Sequence, residues 1–418
     1  MLPKKKLGRK FLILGLLFFP VLISFYIVSL NSNKLIPEQL SLVLLILASF
    51  SFVMLMTGII FYFTGKDKLK KKFKKPLVAI LALFFTVYTV GGLGFVYKLY
   101  FATDNIKEWL ITTAMTTMSH QYLATWFYND YDVNMVLANN NVIEVEEDTN
   151  TDLINFSKLD FEKKTFANKY EQEILTKDPN NDSYKIIDIK EKNFKGKMAV
   201  IYNPAKVKVG VSKGLGTNIK SSYGQFITQI AKNYNAVIAV NGSGFLDPDW
   251  NSTGGVPYGI TISNGKVVAN NVKGRVGGGI VGFTKDNKLV LTRATAQQAL
   301  KMGIRDCVEH GPFLIVNGKS SYINGNGGWG QAPRTVIGQR ADGIVLLLVI
   351  DGRQAGSVGA DMGDLTRVML NYGAINAANM DGGTSSAMEL NGQIITHPRN
   401  GNFAEKTRPV PNAWIVLK

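Results

Sequence analysis

Three long uncharged apolar stretches, Phe11–Leu30, Gln39–Gly65 and Pro76–Tyr97, constrain this chain more than any other feature of its sequence. Each is long enough to cross a hydrocarbon layer of about 30 Å at about 1.5 Å per residue, so all three are expected to be transmembrane helices. The first follows "KKKLGRK" but is too long for the apolar part of a cleaved signal and lacks a small-residue cleavage site, so it is read as retained. Residues 1–100 carry 14 Lys and Arg against Glu38 and Asp67, which accounts for most of the formal net charge of +16. That basicity sits against the ends of the apolar stretches, in "KKKLGRK" and "GKDKLKKKFKK". It therefore reads as a positive-inside signal rather than a nucleic-acid surface, and sends everything after Tyr100 outward. No charge lies within the three stretches, which argues against a transporter. The single cysteine, Cys307, rules out a disulfide within the chain and fits a bacterial cell surface, with the lipid bilayer as one partner.

Two textures follow. From Asp104 to about Tyr128, Ile106, Leu110, Ala114, Met118, Tyr122 and Trp126 recur every four residues, the pattern of an amphipathic helix. Residues 129–184 are polar and weakly patterned and read as a linker. From residue 185 the chain is glycine-rich. Five stretches, "TISNGKVVA", "VGFTKDNKLVLT", "LIVNGKSS", "VIGQRADGIVLLLVI" and "MELNGQIIT", carry Asn-Gly, Asp-Gly or Asp-Asn between apolar runs and predict hairpins. Helical spacing occurs at 221–235 and 361–373, and more weakly at 294–302. The expected fold class is α+β: three N-terminal transmembrane helices, then a compact extracellular β-rich domain with hairpins and two to three helices. The expected divisions are 1–100 for the membrane domain, 101–184 for the amphipathic helix and linker, and 185–418 for the compact domain.

Three apolar runs, "AVIAV", "IVLLLVI" and "INAANM", have the composition of buried strands, and they lead into Asn241, Asp351 and Asp381. Glycine follows each time, in "NGSGF", "DGR" and "DGGTSS". A rigid strand that delivers a polar group to its end, with a backbone that can then turn close to a ligand, is a sound support for a site.

"AVNGSGF", "GPFLIVNGK", "PRTVIG", "DGR", "NMDGGTSSAMELNG" and "RPVPNAWIVL" stand in the order found in the phosphodiester glycosidase family, the group typified by the lysosomal N-acetylglucosamine-1-phosphodiester α-N-acetylglucosaminidase. The resemblance covers about residues 190–418 and leaves out the apolar N-terminal stretches. It implies hydrolysis of a sugar C1–O–P phosphodiester, with release of the sugar and retention of a phosphomonoester. This chain departs from the pattern twice. Ser243 and Gly244 replace the second glycine and first phenylalanine of "NGGFF", and Thr384 stands at the third glycine of "DGGGSS".

The residues support the same chemistry directly. Cleavage at carbon 1 passes through an oxocarbenium-like state, and a phosphate leaving group needs little protonation. The protein must hold an anion and activate water. Arg334 and Arg353 suit the anion as planar forks, the backbone of Gly382, Gly383 and Thr384 suits a nest beside them, and Arg408 in the closing motif completes the set. Asp381 is the expected principal carboxylate, as base or nucleophile, with Asp351 as its partner. Asn241, Gly242, Thr335 and Ser385 complete the expected substrate contacts. Asp351 and Asp381 would suit Mg²⁺ or Ca²⁺ as hard oxygen ligands, but the sequence commits to no cofactor. Glu309-His310 and His397 come without a nucleophile motif and read as loop or core residues, and Asp361 and Asp364 as a helix start. The expected function is an extracellular, membrane-anchored hydrolase of phosphodiester-linked surface glycans. The alternative is a glycan-binding factor in exopolysaccharide assembly that uses the same pocket without turnover.

Overall fold

The computed structural model describes residues 104–117, 121–125, 128–247, 252–271, 278–400 and 405–418, with a few positions between 10 and 55. The expected fold class is corrected on one point. Among the described residues no helix is long and apolar enough to cross a membrane. The longest helix described from end to end, Asp104–Thr116, has 13 residues, which at about 1.5 Å per residue falls well short of a hydrocarbon layer of about 30 Å. The three apolar stretches of the first 100 residues lie almost wholly outside the described residues, and what is described is β-rich.

The chain divides into two compact units, Met1–Ala138 and Asn139–Lys418. In the first, the segment read as one amphipathic helix is described as Asp104–Thr116 and Tyr122–Thr125, and a further helix spans Asp130–Asn139. Leu110, Ile111, Ala114, Ala124, Tyr128, Val133 and Val136 bury one apolar cluster. The stretch read as a linker holds more structure than its composition suggested. Val142–Ile143 pairs with Tyr322–Ile323, and a helix runs from Lys169 to Leu175, capped by Asn168.

Three larger antiparallel sheets form the second unit among the described residues. The first runs in the order 319–320, 313–316, 374–379, 334–340, 345–350, 195–201 and 184–190. The second has the order 393–394, 388–390, 236–241, 412–417 and 207–211, and the third 266–271, 259–263, 304–310, 279–284 and 289–292. All five Asn-Gly, Asp-Gly or Asp-Asn stretches close hairpins. Asn264, Asn287, Asn317 and Asn391 take left-handed φ values of 50–63°, the conformation such turns require.

The apolar run Val345–Ile350 shows why the first sheet is central. Side chains alternate across a strand. Val345, Leu347 and Val349 face a core shared with the other two sheets, where Ile238, Phe283, Met380 and Trp414 also lie. Leu346, Leu348 and Ile350 face the opposite way, onto the helices Lys169–Leu175 and Met362–Asn371. Both faces are covered, so the run is apolar at every position. Asp361 caps the second of these helices in a capping box with Asp364, and Gly373 follows its end at φ 79°. Shorter helices, Ile227–Asn233 and Ala296–Lys301, cover the outer faces of the second and third sheets.

Candidate active site

Register brings the strand ends together. Arg334 opens a strand that pairs with Ile350 on one side and, two residues on, with Asn379 on the other. The segments after Ile350 and Asn379 therefore leave the sheet beside Arg334. The second sheet joins them through Asn241, which is fully buried. Its Nδ2 donates to the carbonyl oxygen of Asp381 at 2.6 Å, its Oδ1 accepts from Thr335 Oγ1 at 2.7 Å, and Asp381 N–H donates to the Gly242 carbonyl at 3.1 Å. Asn241 and Thr335, also fully buried, thus hold the backbone of the Asp381 turn. A Cβ on Gly242 would meet Asn412 Oδ1 at 2.3 Å, so that position must stay bare.

The Asp381 carboxylate is fixed at both oxygens. Oδ1 accepts from Gly382 N–H at 3.0 Å, and Oδ2 lies 3.3 Å from Arg408 Nη2. Arg408 also reaches Asp247 Oδ2 at 3.0 Å, donates from Nε to Ser385 Oγ at 2.7 Å, and lies 4.4 Å over the ring of Phe245. A single guanidinium thus orients two carboxylates and a hydroxyl, using the planar fork that lysine lacks.

Two further guanidinium groups meet the same turn. Arg334 is 4% exposed, and its side chain donates to the carbonyls of Ala360 at 3.1 Å and Gly330 at 2.7 Å, and to that of Trp329. Its Nη1 would stand 3.3 Å from a Cβ on Gly382. Burial first, and Arg353 second, push its pKa down to about 10. Arg353 Nη1 lies 3.4 Å from both Thr384 Oγ1 and the Arg399 carbonyl, and its Nη2 would stand 3.1 Å from a Cβ on Gly383, a residue at φ 63°. Its pKa is also lowered, by burial and then by Arg408. Among the described residues no carboxylate lies in ion-pair range of Arg334 or Arg353. Arg353 itself has φ 60°, an uncommon conformation for a residue with a side chain, and one that clusters at ligand sites. Two cations with no carboxylate in ion-pair range among the described residues thus face a bare glycine turn, an arrangement with the charge and geometry to hold an anion.

Asp351 leaves the same edge of the sheet, but its carboxylate engages His397: Oδ1 accepts from His397 N–H at 2.7 Å, and Oδ2 lies 3.1 Å from Nδ1. No hydrogen bond or ion pair joins it to Asp381 among the described residues. Nor do the described residues gather three or more His, Cys, Asp or Glu side chains as a metal site.

Sequence reasoning missed four residues here. Asp247 and Phe245 reach the site through Arg408. Tyr258 donates its N–H to the Gly244 carbonyl at 2.8 Å, and its hydroxyl pKa is raised by burial, then by Asp381 and Asp247. His310, read as loop or core, is 5% exposed and lies within the field of Asp381 and Arg334. His310 stands at a strand end before a glycine, in "VEHGPF", as Asn241 and Asp351 do, but its strand, Ile304–His310, carries Arg305, Asp306 and Glu309, so the apolar run that marked the other two is missing. Asp247 and Tyr258 lie in a loop without periodic pattern, and nothing in the sequence marks them.

The family model described as phosphodiester glycosidase matches residues 234–417. Among curated proteins, the SPbeta prophage-derived uncharacterized protein YomE of Bacillus subtilis (strain 168) is 28% identical over 183 residues, which is 42% of this chain and 27% of that protein. The chain thus spans about a quarter of that relative's length. Similar solved structures include the zebrafish N-acetylglucosamine-1-phosphodiester α-N-acetylglucosaminidase catalytic domain auto-inhibited by its pro-peptide, at 21% identity and TM-score 0.49 over 58% of this chain and 86% of that one. A hypothetical protein from Synechocystis aligns at 16% identity and TM-score 0.40 over 56% of this chain and 61% of that one.

Proposed function

We propose, on the premise that residues 234–417 belong to the phosphodiester glycosidase family, that this chain hydrolyses glycosyl-1-phosphodiesters at the bond between sugar carbon 1 and the phosphate oxygen. The sugar is released and a phosphomonoester remains. The observation that carries this reading is the pair of guanidinium groups, Arg334 and Arg353, that lack a carboxylate partner among the described residues and face the Gly382–Gly383 turn beside Asp381.

Charge explains why that arrangement favours cleavage. A phosphodiester carries one negative charge and the departing phosphomonoester up to two, so cations fixed at the phosphate gain interaction as the bond breaks. Fixed groups need no reorganisation at that moment, and in a buried site they act more strongly than in water. Asp381, oriented by Arg408, faces the opposite sign of charge: its carboxylate stabilises the positive character that grows at carbon 1. Asn241 and Thr335 keep this carboxylate in register with the anion site.

The substrate class in this reading is a phosphodiester-linked cell-surface glycan, and the setting is the outer face of a bacterial cell. In that setting, protease added to intact cells should degrade the region after Tyr100.

The activity is tested by supplying the full chain with a panel of α- and β-glycosyl-1-phosphodiesters and measuring free sugar, with Asp381→Asn as the control. Release by the wild type and not by the variant supports the proposal. Binding of the diesters without release from any of them would replace it with the glycan-binding reading.

A further inference from the structure

His310 is a buried titratable group at the site to which neither the anion-binding pair nor Asp381 gives a task. It ends the strand Ile304–His310. Its Nδ1 lies 3.0 Å from the carbonyl oxygen of Asn379, two residues before Asp381. A carbonyl can only accept, so Nδ1 carries the proton and the lone pair of the neutral ring is on Nε2.

Nε2 faces Gly244. A Cβ built on that glycine would stand 3.6 Å from Nε2 and 3.1 Å from Cδ2 of Tyr258. Gly244 is not among the residues with positive φ, so its backbone does not demand glycine. What the missing side chain provides is room, bounded by the Tyr258 ring and the basic nitrogen of His310. The charged and titratable groups around the imidazole are Asp381, which raises its proton affinity, Arg334, which lowers it, and Tyr258; Arg408 and Asp247 lie one contact further out. Burial outweighs them and holds the ring below its ordinary pKa of 6.5, in the neutral form near pH 7.

We infer that Nε2 of His310 accepts the proton of the water that attacks carbon 1, from the recess left by Gly244. The inference rests on the proposed glycosyl phosphodiester hydrolysis. In the step, the water oxygen forms a bond to carbon 1 and the bond from carbon 1 to the bridging oxygen breaks. That electron pair leaves with the phosphomonoester, and one water proton passes to Nε2. The imidazolium then returns its proton to solvent, which restores the neutral ring. The Asp381 carboxylate offsets the charge at carbon 1, while Arg334 and Arg353 take up the charge on the phosphate. Water activation and charge stabilisation are thus divided between two side chains.

The test uses the full chain and a diester that the wild type cleaves, with kcat and KM measured from about pH 5 to about pH 9 for the wild type, His310→Gln and Gly244→Ala. His310→Gln should lose about 10²- to 10⁴-fold in kcat at pH 7 while KM changes little, and the fall in kcat/KM on the acid side, below pH 6.5 in the wild type, should be absent. Gly244→Ala leaves the ring in place and fills the recess, so kcat should fall at least about tenfold with the acid limb retained. A folded His310→Gln that keeps kcat within about threefold, or keeps the acid limb unchanged, overturns the inference while the proposed activity stands. Should that variant fail to fold, Gly244→Ala decides: kcat within about threefold of the wild type also overturns it. Failure of the wild type to cleave any diester removes the functional reading and this inference with it.

Discussion

Arg408 Nη2 lies 3.3 Å from Asp381 Oδ2, and this contact spans 27 positions of sequence. Because the same guanidinium also holds Asp247 and Ser385, the orientation of the Asp381 carboxylate depends on a planar group with several fixed donors. A lysine has the charge without that geometry. Arg408→Lys should therefore remain folded by circular dichroism and lose about 10- to 100-fold in kcat/KM. Unchanged kcat/KM would mean that the orientation of Asp381 is set without Arg408.

Asp381→Asn removes a charge but keeps most of the local bonding. An amide oxygen can still accept from Gly382 N–H, and Asn241 binds the backbone carbonyl of residue 381 rather than its side chain. Sugar release should fall by at least about 10²-fold, the scale associated with loss of one charge-stabilising group. Inorganic phosphate should bind at least as tightly as before, since a nearby negative charge has gone. Isothermal titration together with a sugar-release assay checks both parts, and weaker phosphate binding would contradict the assigned geometry.

Hairpins were legible in the sequence because their cause is local: the left-handed turn residues Asn264, Asn317 and Asn391 sit within the four or five residues that form each turn. The apolar run at Val345–Ile350 was legible because both of its faces are covered. The meeting of Arg408 with Asp247 was not, since no local preference connects residues 161 positions apart. Asp351 shows where local reading stops. Its place at a strand end was readable, but which way the carboxylate turns depends on His397, 46 residues later. His310 shares with Asn241 only the glycine after its strand end, since its own strand carries Arg305, Asp306 and Glu309, and its burial agrees with the reading of it as a core residue. The apolar stretches before residue 100 lie almost wholly outside the described residues, and the helices described after them, between residues 104 and 139, are short and packed through one face.

Arg334 and Arg353, the two arginines of the proposed anion site, should respond differently to mutation. Arg334 is buried and satisfies the carbonyls of Ala360, Trp329 and Gly330, so Arg334→Ala leaves buried acceptors unpaired and should cost about 3 kcal/mol in urea unfolding. Arg353 holds a left-handed backbone that costs a side-chain-bearing residue about 1 kcal/mol. Arg353→Gly should therefore be close to neutral in stability. It should nonetheless abolish the rise in melting temperature that inorganic phosphate gives the wild type. An equal loss of stability in both variants would show that the two residues do not divide these tasks.

Stability should also carry the mark of His310. Burial lowers its pKa in the folded protein below the value of 6.5 that it regains on unfolding. Between those two values the unfolded chain binds the extra proton, so this residue's contribution is complete above 6.5 and is lost as pH falls, by at most about 1.4 kcal/mol per pH unit. Glu144, Asp361 and Glu389 act with the opposite sign. Burial raises their pKa values, so the folded form takes up protons first and gains stability as pH falls through the raised values. The net curve for the wild type therefore mixes both effects, and the comparison with His310→Gln separates them. Urea midpoints from about pH 7 down to about pH 5 should fall more steeply for the wild type than for the variant, with the difference opening only below about pH 6.5. Parallel curves would mean that the imidazole takes up its proton in the folded state as readily as in the unfolded chain, and so is not held neutral beside Asp381.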